Sequence, residues 1–291
     1  MKRPVIVGVD GSAQSIAAAH WAADEAVLRG SPLRLVYADP WLRALQNIDR
    51  QNGDERGSAL RMLAQVQAEL QERCPTLSID LALVQGQVVE ALVKTAHDGE
   101  ITVLGSRGLG GFAELLLGSV SLATAARVDV PLIVLRPGTG PGTEQQRTAT
   151  SQILVGLDAY DPSEAVLDFA FAEAALRGAR IRVVHGWALP PSWSSLGWTP
   201  PLVQTPDLEA AEAAQLAKAM LSWRDKFPDT EVAEAVRLGG GAAALVEASD
   251  RADLVVVGRR ARPHGAGLRL GAVAHAVLHH AKAPVAVVPH P

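Results

Sequence analysis

Short apolar runs alternate with longer stretches of helical period along the whole chain. Pro4 to Val9 is an apolar run that predicts a strand. Ser12 or Ser15 can cap a following helix that runs to about Leu28, with Gly30 as its stop. Leu33 to Ala38 predicts a second strand, and a polar stretch from Asp39 to Gly57 leads to a helix over about Ser58 to Glu72. Leu63, Val66 and Leu70 share one face of that helix. Ser78 to Val84 predicts a third strand, Val88 to Ala96 a helix, Ile101 to Leu104 a fourth strand, Ser119 to Ala126 a helix and Leu132 to Arg136 a fifth strand. The same rhythm returns with strands near 153–157, 181–185, 230–236, 254–257 and 285–288. A long helix near Asp207 to Phe227 places Leu216, Met220, Trp223 and Phe227 on one stripe. Strands alternating with helices predict an α/β fold with a parallel sheet and helices on both faces.

The pattern is a duplication. Gly8, Asp10, Glu25, Arg29 and Gly30 recur 148 positions later as Gly156, Asp158, Glu173, Arg177 and Gly178. Gly86, Gly105, Gly118 and Pro131 recur 153 positions later as Gly239, Gly258, Gly271 and Pro284. Between the copies lies PGTGPGTEQQRTATS, from Pro137 to Ser151, whose composition is that of a linker. The expected organisation is two tandem doubly wound domains, 1–137 and 152–291, joined by 138–151.

Candidate chemistry is concentrated in ITVLGSRGLGGFAELLLGSVS, from Ile101 to Ser121. A buried strand stops at Gly105, a glycine-rich loop follows, and a helix begins near Ser119. Loop glycines let main chain approach a ligand, and unpaired helix N–H groups with the helix dipole favour negative charge. Phosphate is the natural partner. No lysine stands in this stretch, which excludes the Gly-Lys-Ser/Thr phosphate loop. The dinucleotide turn follows a first strand, whereas this loop follows a fourth. Gly105-x-x-Gly108, nine residues, then Gly118-Ser119 resembles the nucleotide loop of the universal stress protein family, and the resemblance extends over nearly the whole chain.

That resemblance implies a five-stranded parallel sheet in each domain, in strand order 3-2-1-4-5, and an ATP-binding protein of stress adaptation. In such sheets ligands sit beyond the carboxyl ends of the strands, where strand order reverses. The nucleotide would then meet Gly8, Val9 and Asp10 after the first strand, and the main chain at Tyr37–Ala38 after the second. Gly105, Ser106, Arg107, Gly108, Leu109, Gly110 and Gly111 would wrap its phosphates, and Gly118, Ser119 and Val120 would close over them. Asp10 can accept from ribose hydroxyls or hold a Mg²⁺ that accompanies the nucleotide; an aspartate before a glycine is equally at home in a turn or a helix cap. Arg107 can pair with phosphate or stand as a solvated loop arginine.

The second copy keeps the spacing and departs in composition. Its candidates are Gly156, Asp158, Gly258, Arg259, Arg260, Ala261, Gly271, Ala272 and Val273. Ala261 stands where a glycine is expected, and alanine disfavours a left-handed backbone. Ala272 replaces a hydroxyl residue, and loss of one hydrogen bond to a charged group is worth about 1.5–3 kcal/mol. The arginines can offset this, so the second site is expected to be weakened or differently selective. His275 and His279 lie four apart on a predicted helix, a zinc-compatible spacing, but a third ligand is required and none is evident, so no metal site is assigned.

No nucleophile elbow, Walker lysine or paired-carboxylate motif emerges, which favours nucleotide binding without efficient turnover. A slow ATPase or phosphotransferase using Asp10 and Mg²⁺, and a dimerising interaction protein whose second site is inactive, are the alternatives. The resemblance also implies a homodimer and a regulatory protein partner. A net charge of -4 and a pI near 6.1 give no electrostatic reason to expect nucleic acid. The start of the chain does not read as a signal peptide and no segment is apolar enough to span a membrane. Cys74 is the single cysteine, so no internal disulfide can form. A cytoplasmic location is expected.

Overall fold

The computed structural model describes residues 2–40, 53–108, 117–136, 151–188, 205–260 and 270–291. Among these the chain divides into two compact units, the first holding residues 2–136 and the second 151–291. Apart from Ser151, the linker assigned to 138–151 lies outside the described residues.

Unit 1 runs β1 (Val5–Gly8), α1 (Ala13–Arg29), β2 (Leu33–Asp39), α2 (Gly53–Arg73), β3 (Ile79–Gln85), α3 (Val88–Ala96), β4 (Ile101–Gly105), α4 (Ser119–Ala125) and β5 (Leu132–Leu135). Its strands are parallel and ordered β3-β2-β1-β4-β5, as the resemblance implies. β1 is central, and Val5, Ile6 and Val7 are fully buried because both faces of the sheet are covered by helices. α1 begins and ends where its sequence says. Ser12 accepts the Ser15 N–H as N-cap, and Gly30, at φ 60°, takes the left-handed C-cap that non-glycine residues avoid. Leu63, Val66 and Leu70 are buried along one face of α2, as their spacing predicts.

Unit 2 repeats the plan with β6 (Gln152–Gly156), α5 (Glu164–Arg177), β7 (Arg180–Trp187), α6 (Thr205–Lys226), β8 (Val232–Leu238), α7 (Gly241–Ala248), β9 (Leu254–Arg260), α8 (Ala272–His280) and β10 (Val285–His290). The order is β8-β7-β6-β9-β10, again parallel. On α6, Leu216, Met220 and Trp223 are buried. Phe227 follows the end of that helix and stacks on Phe171, with ring centres 4.7 Å apart.

Two of the repeated charges are structural. Arg29 donates to Glu25 at 2.7 Å within α1, and also meets Glu100 at 2.5 Å. Arg177 and Glu173 form the matching pair on α5. Glu25 and Glu173 are 3% and 0% exposed, and a buried carboxylate requires such a partner. The duplication of these residues therefore reports packing, whereas that of Gly8, Asp10, Gly105 and Gly118 leads to the carboxyl ends of the strands.

Candidate functional site

In unit 1 the turn after β1 is fixed around Asp10. Its Oδ1 accepts the Ser12 N–H at 2.9 Å, and its own N–H donates to Ser15 Oγ at 3.2 Å. Ser15 Oγ in turn donates to the Ser12 carbonyl at 2.9 Å. Gly11, at φ 87°, makes this turn in a conformation that favours glycine. The aspartate thus closes a turn, one of its two expected roles, and still lines the cavity described next.

The loop after β4 is clamped at both ends. Ser106 N–H donates to the Leu135 carbonyl at 2.7 Å, Gly118 N–H donates to the Ser106 carbonyl at 2.6 Å, and Ser121 Oγ donates to the Gly105 carbonyl at 2.7 Å. Leu109, Gly110 and Gly111 lie outside the described residues. Between this loop, the β1 turn and the end of β2 lies a cavity of about 500 Å³. Val36, Leu92 and Leu104 give it apolar lining, and Tyr37, Ala38 and Val88 line it from the end of β2 and the start of α3. Asp10, Arg107, Gly108 and the run Gly118 to Ser121 supply its polar side. That volume and mixture suit a small ligand with one flat apolar part and one polar part.

The glycines are required for space. None of Gly105, Gly108 and Gly118 has a left-handed φ. A Cβ on Gly108 would stand 2.3 Å from Asp10 Oδ2, one on Gly105 would stand 2.8 Å from the Gln14 main chain, and one on Gly118 would stand 3.2 Å from the Ser106 carbonyl. Gly108, the counterpart of Ala261, is thus a glycine kept for close approach and not for a left-handed φ, so backbone strain is not what an alanine there would bring. Ala261 itself lies outside the described residues. Ser106, expected at the ligand, is fully buried; its main chain ties the loop and its side chain does not line the cavity. Arg107 is half-buried on the cavity wall. Arg136, which follows β5, has its guanidinium pKa lowered by burial and then by the Arg107 charge. Two guanidinium groups, those of Arg107 and Arg136, thus sense each other near the cavity.

Unit 2 assembles its counterpart differently. Asp158 is exposed and closes the same kind of turn, Oδ1 accepting the Tyr160 N–H at 3.0 Å. Gly156 packs on Leu245 and Val257. Gly258 lies under the His290 ring, whose Nε2 is 2.9 Å from where a Cβ would stand. Arg259 is buried, and Arg260 pairs with Asp161. Gly271, Ala272 and Val273 are exposed at the start of α8. His185, at the position in β7 that matches Tyr37 in β2, is buried against the turn after β6. Its Nδ1 is 3.1 Å from the Leu157 carbonyl and 3.3 Å from the Ala159 N–H, and its Nε2 is 3.2 Å from Glu212 Oε2. The His275 and His279 rings lie tilted to each other with centres 4.5 Å apart, and no cluster of three potential metal ligands forms among the described residues.

The profile of the Universal stress protein family matches residues 1–136 and 150–289. The chain belongs to the universal stress protein family. It is 33% identical over 295 residues to the universal stress protein Rv2005c of Mycobacterium tuberculosis, covering 97% of this chain and 96% of that one. It is 29% identical over 304 residues to the universal stress protein Rv1996 of the same organism, covering 97% and 94%. A crystal structure of a universal stress protein from Archaeoglobus fulgidus matches its fold with a TM-score of 0.66 at 18% identity, covering all of both chains.

Within this universal stress fold, sequence reasoning found the polar side of the unit 1 cavity and missed much of its apolar side. Ser15, Val36, Val88, Leu92 and Leu104 line the cavity without having been singled out. Val88 and Leu92 are four apart at the start of α3, one turn of one face, and that spacing is the signal that could have found them. No helix among the described residues is long and apolar enough to cross a membrane.

Proposed function

We propose that unit 1 binds an adenine nucleotide, ATP, and that occupancy of the site regulates the protein's contacts with a partner protein. The observation that carries this reading is the cavity of about 500 Å³ with apolar lining from Val36, Leu92 and Leu104 and a glycine-walled polar side that carries Asp10 and Arg107. Main-chain groups at Tyr37 and Ala38 edge the cavity and would pair with the base. Asp10 would accept from the ribose hydroxyls or, with phosphate oxygens, hold Mg²⁺, which commonly takes only one or two protein carboxylates. Gly105, Ser106, Arg107, Gly108 and the 109–111 segment would follow the phosphates, and Gly118, Ser119 and Val120 would offer helix-start N–H groups and a hydroxyl. Homodimerisation, the partner and a cytoplasmic site of action belong to the same proposal, as do the boundaries 1–137 and 152–291. Titration of the full chain with ATP and Mg²⁺ by calorimetry tests it. Saturable heat with a dissociation constant below about 1 mM is expected, and no heat of binding at millimolar ATP would refute it.

A further inference from the structure

The two units differ at the slot between the end of the second strand and the start of the third helix. In unit 1, Gly86 turns at φ 130° and its N–H donates to the Asp39 carbonyl at 3.2 Å. Gln87 follows at φ -56°, and α3 starts at Val88, so that Ala38 and Val88 both line the open cavity. The matching residues of unit 2 are Gly239, Gly240 and Gly241. Gly239 and Gly240 both have left-handed φ, 108° and 95°, and both N–H groups converge on the Trp187 carbonyl at 3.1 and 3.3 Å. This second left-handed residue redirects the chain. A Cβ on Gly186, the counterpart of Ala38, would stand 2.1 Å from Gly241 N and 2.2 Å from Gly241 Cα. Main chain lies directly on main chain, and the methyl group that unit 1 carries has no room in unit 2.

A planar base needs two walls separated by its own thickness. In unit 1 the walls are apart; in unit 2 they are in contact. We infer that Gly186, Gly240 and Gly241 shut the base slot of unit 2, so that the chain takes one nucleotide, in unit 1. The inference rests on the reading of the unit 1 cavity as a nucleotide site. Glycine is needed at two of these points for a physical reason: at 240 because an L side chain rarely adopts φ 95°, at 186 because a Cβ would collide with the Gly241 main chain. Gln87, which stands where unit 2 has Gly240, could not follow the unit 2 path without strain.

Two measurements on the full chain test this. Calorimetric titration with ATP and Mg²⁺ should give one site per chain in the wild type and none in Gly118→Val, which fills the unit 1 phosphate turn. Two sites per chain, or binding that persists in Gly118→Val, would overturn the inference and leave nucleotide binding intact. Absence of any binding in the wild type would overturn the proposed function instead, and closure of the slot is then decided by a readout that needs no nucleotide. Hydrogen exchange at amides 239–245 should quicken at least about tenfold in Gly186→Ala, because the added methyl must push the 240–241 main chain away, and should stay unchanged at 86–92 in Ala38→Gly. If Gly186→Ala does not fold, Gly240→Gln provides the same test through its φ. Exchange at 239–245 equal to wild type in these unit 2 variants would show that the two walls are not in contact.

Discussion

At the scale of single residues, Asp10 shows why close approach, and not backbone freedom, requires glycine at 108 in the loop after β4. Its carboxylate is held by the Ser12 N–H on one side and lies against Gly108 on the other. Gly108→Ala places a methyl group 2.3 Å from Oδ2, so the carboxylate or the loop must move. Given the proposed role of Asp10, ATP affinity in this variant should fall about tenfold or more, equivalent to about 1.4 kcal/mol; calorimetry showing wild-type affinity would remove Asp10 from the site. The positions of these residues were legible in the sequence, through their spacing after predicted strands, the repeat and the family resemblance together. Their reason was not, because a bare glycine does not say whether φ or space requires it. Val36 and Leu104 escaped notice for a related reason: an apolar residue at a strand end reads as core whether it faces packing or a cavity.

His290 is a residue whose environment no local pattern announces. Burial, and then repulsion from Arg260 and Arg259, hold its imidazole below the usual 6.5, against the opposing effects of the Pro291 main chain and Asp161. The folded state thus prefers the neutral ring. Unfolding lets it take up a proton at higher pH, so its contribution to stability is complete above about pH 6.5 and is lost as pH falls through the lower folded value. Between about pH 7 and about pH 5, the urea midpoint of wild type should therefore fall more than that of His290→Gln. Parallel midpoints in the two proteins would show that this ring does not sense pH in the fold.

At the scale of elements, boundaries marked by capping chemistry or by a clear apolar period were read well and those with neither were not. α1 stops at its predicted glycine cap, and the Val88–Ala96 helix matches its predicted limits. α2 starts at Gly53, earlier than the predicted Ser58, because the polar residues 53–57 offer no apolar period to read. β7 and β9 extend to Trp187 and Arg260, past glycines and an arginine that resemble loop in sequence yet pair in register with β8 and β10. What anchors α1 is its buried charge. Removing Arg29 leaves Glu25, which is 3% exposed, without its 2.7 Å partner. Arg29→Ala should therefore destabilise the protein by about 3–5 kcal/mol, the usual cost of a broken buried pair. Denaturant unfolding checks it, and a change under about 1 kcal/mol would mean that water reaches Glu25.

At the scale of the whole molecule, the duplication was legible to the residue, because offsets of 148 and 153 align every shared glycine. The divergence between copies was legible only in part. Ala261 and Ala272 signalled a weaker second loop, whereas the tighter difference lies at Gly240 and Gly241, whose effect depends on main-chain geometry that composition does not reveal. This asymmetry bears on whether the protein turns nucleotide over. Among the described residues, the charged groups lining the unit 1 cavity are Asp10 and Arg107, with no lysine or histidine beside them. Oδ1 of Asp10 already accepts a main-chain N–H, so this oxygen is engaged in the turn rather than directed at a nucleophile. Efficient phosphoryl transfer needs an oriented nucleophile as well as charge stabilisation. The full chain is thus expected to release phosphate from ATP far more slowly than about 1 per second, the lower end of ordinary enzyme turnover, and Asp10→Asn is expected to alter affinity more than rate. A phosphate-release assay decides between binder and enzyme: a rate at or above that figure, abolished in Asp10→Asn, would make Asp10 a catalytic residue and the regulatory reading wrong.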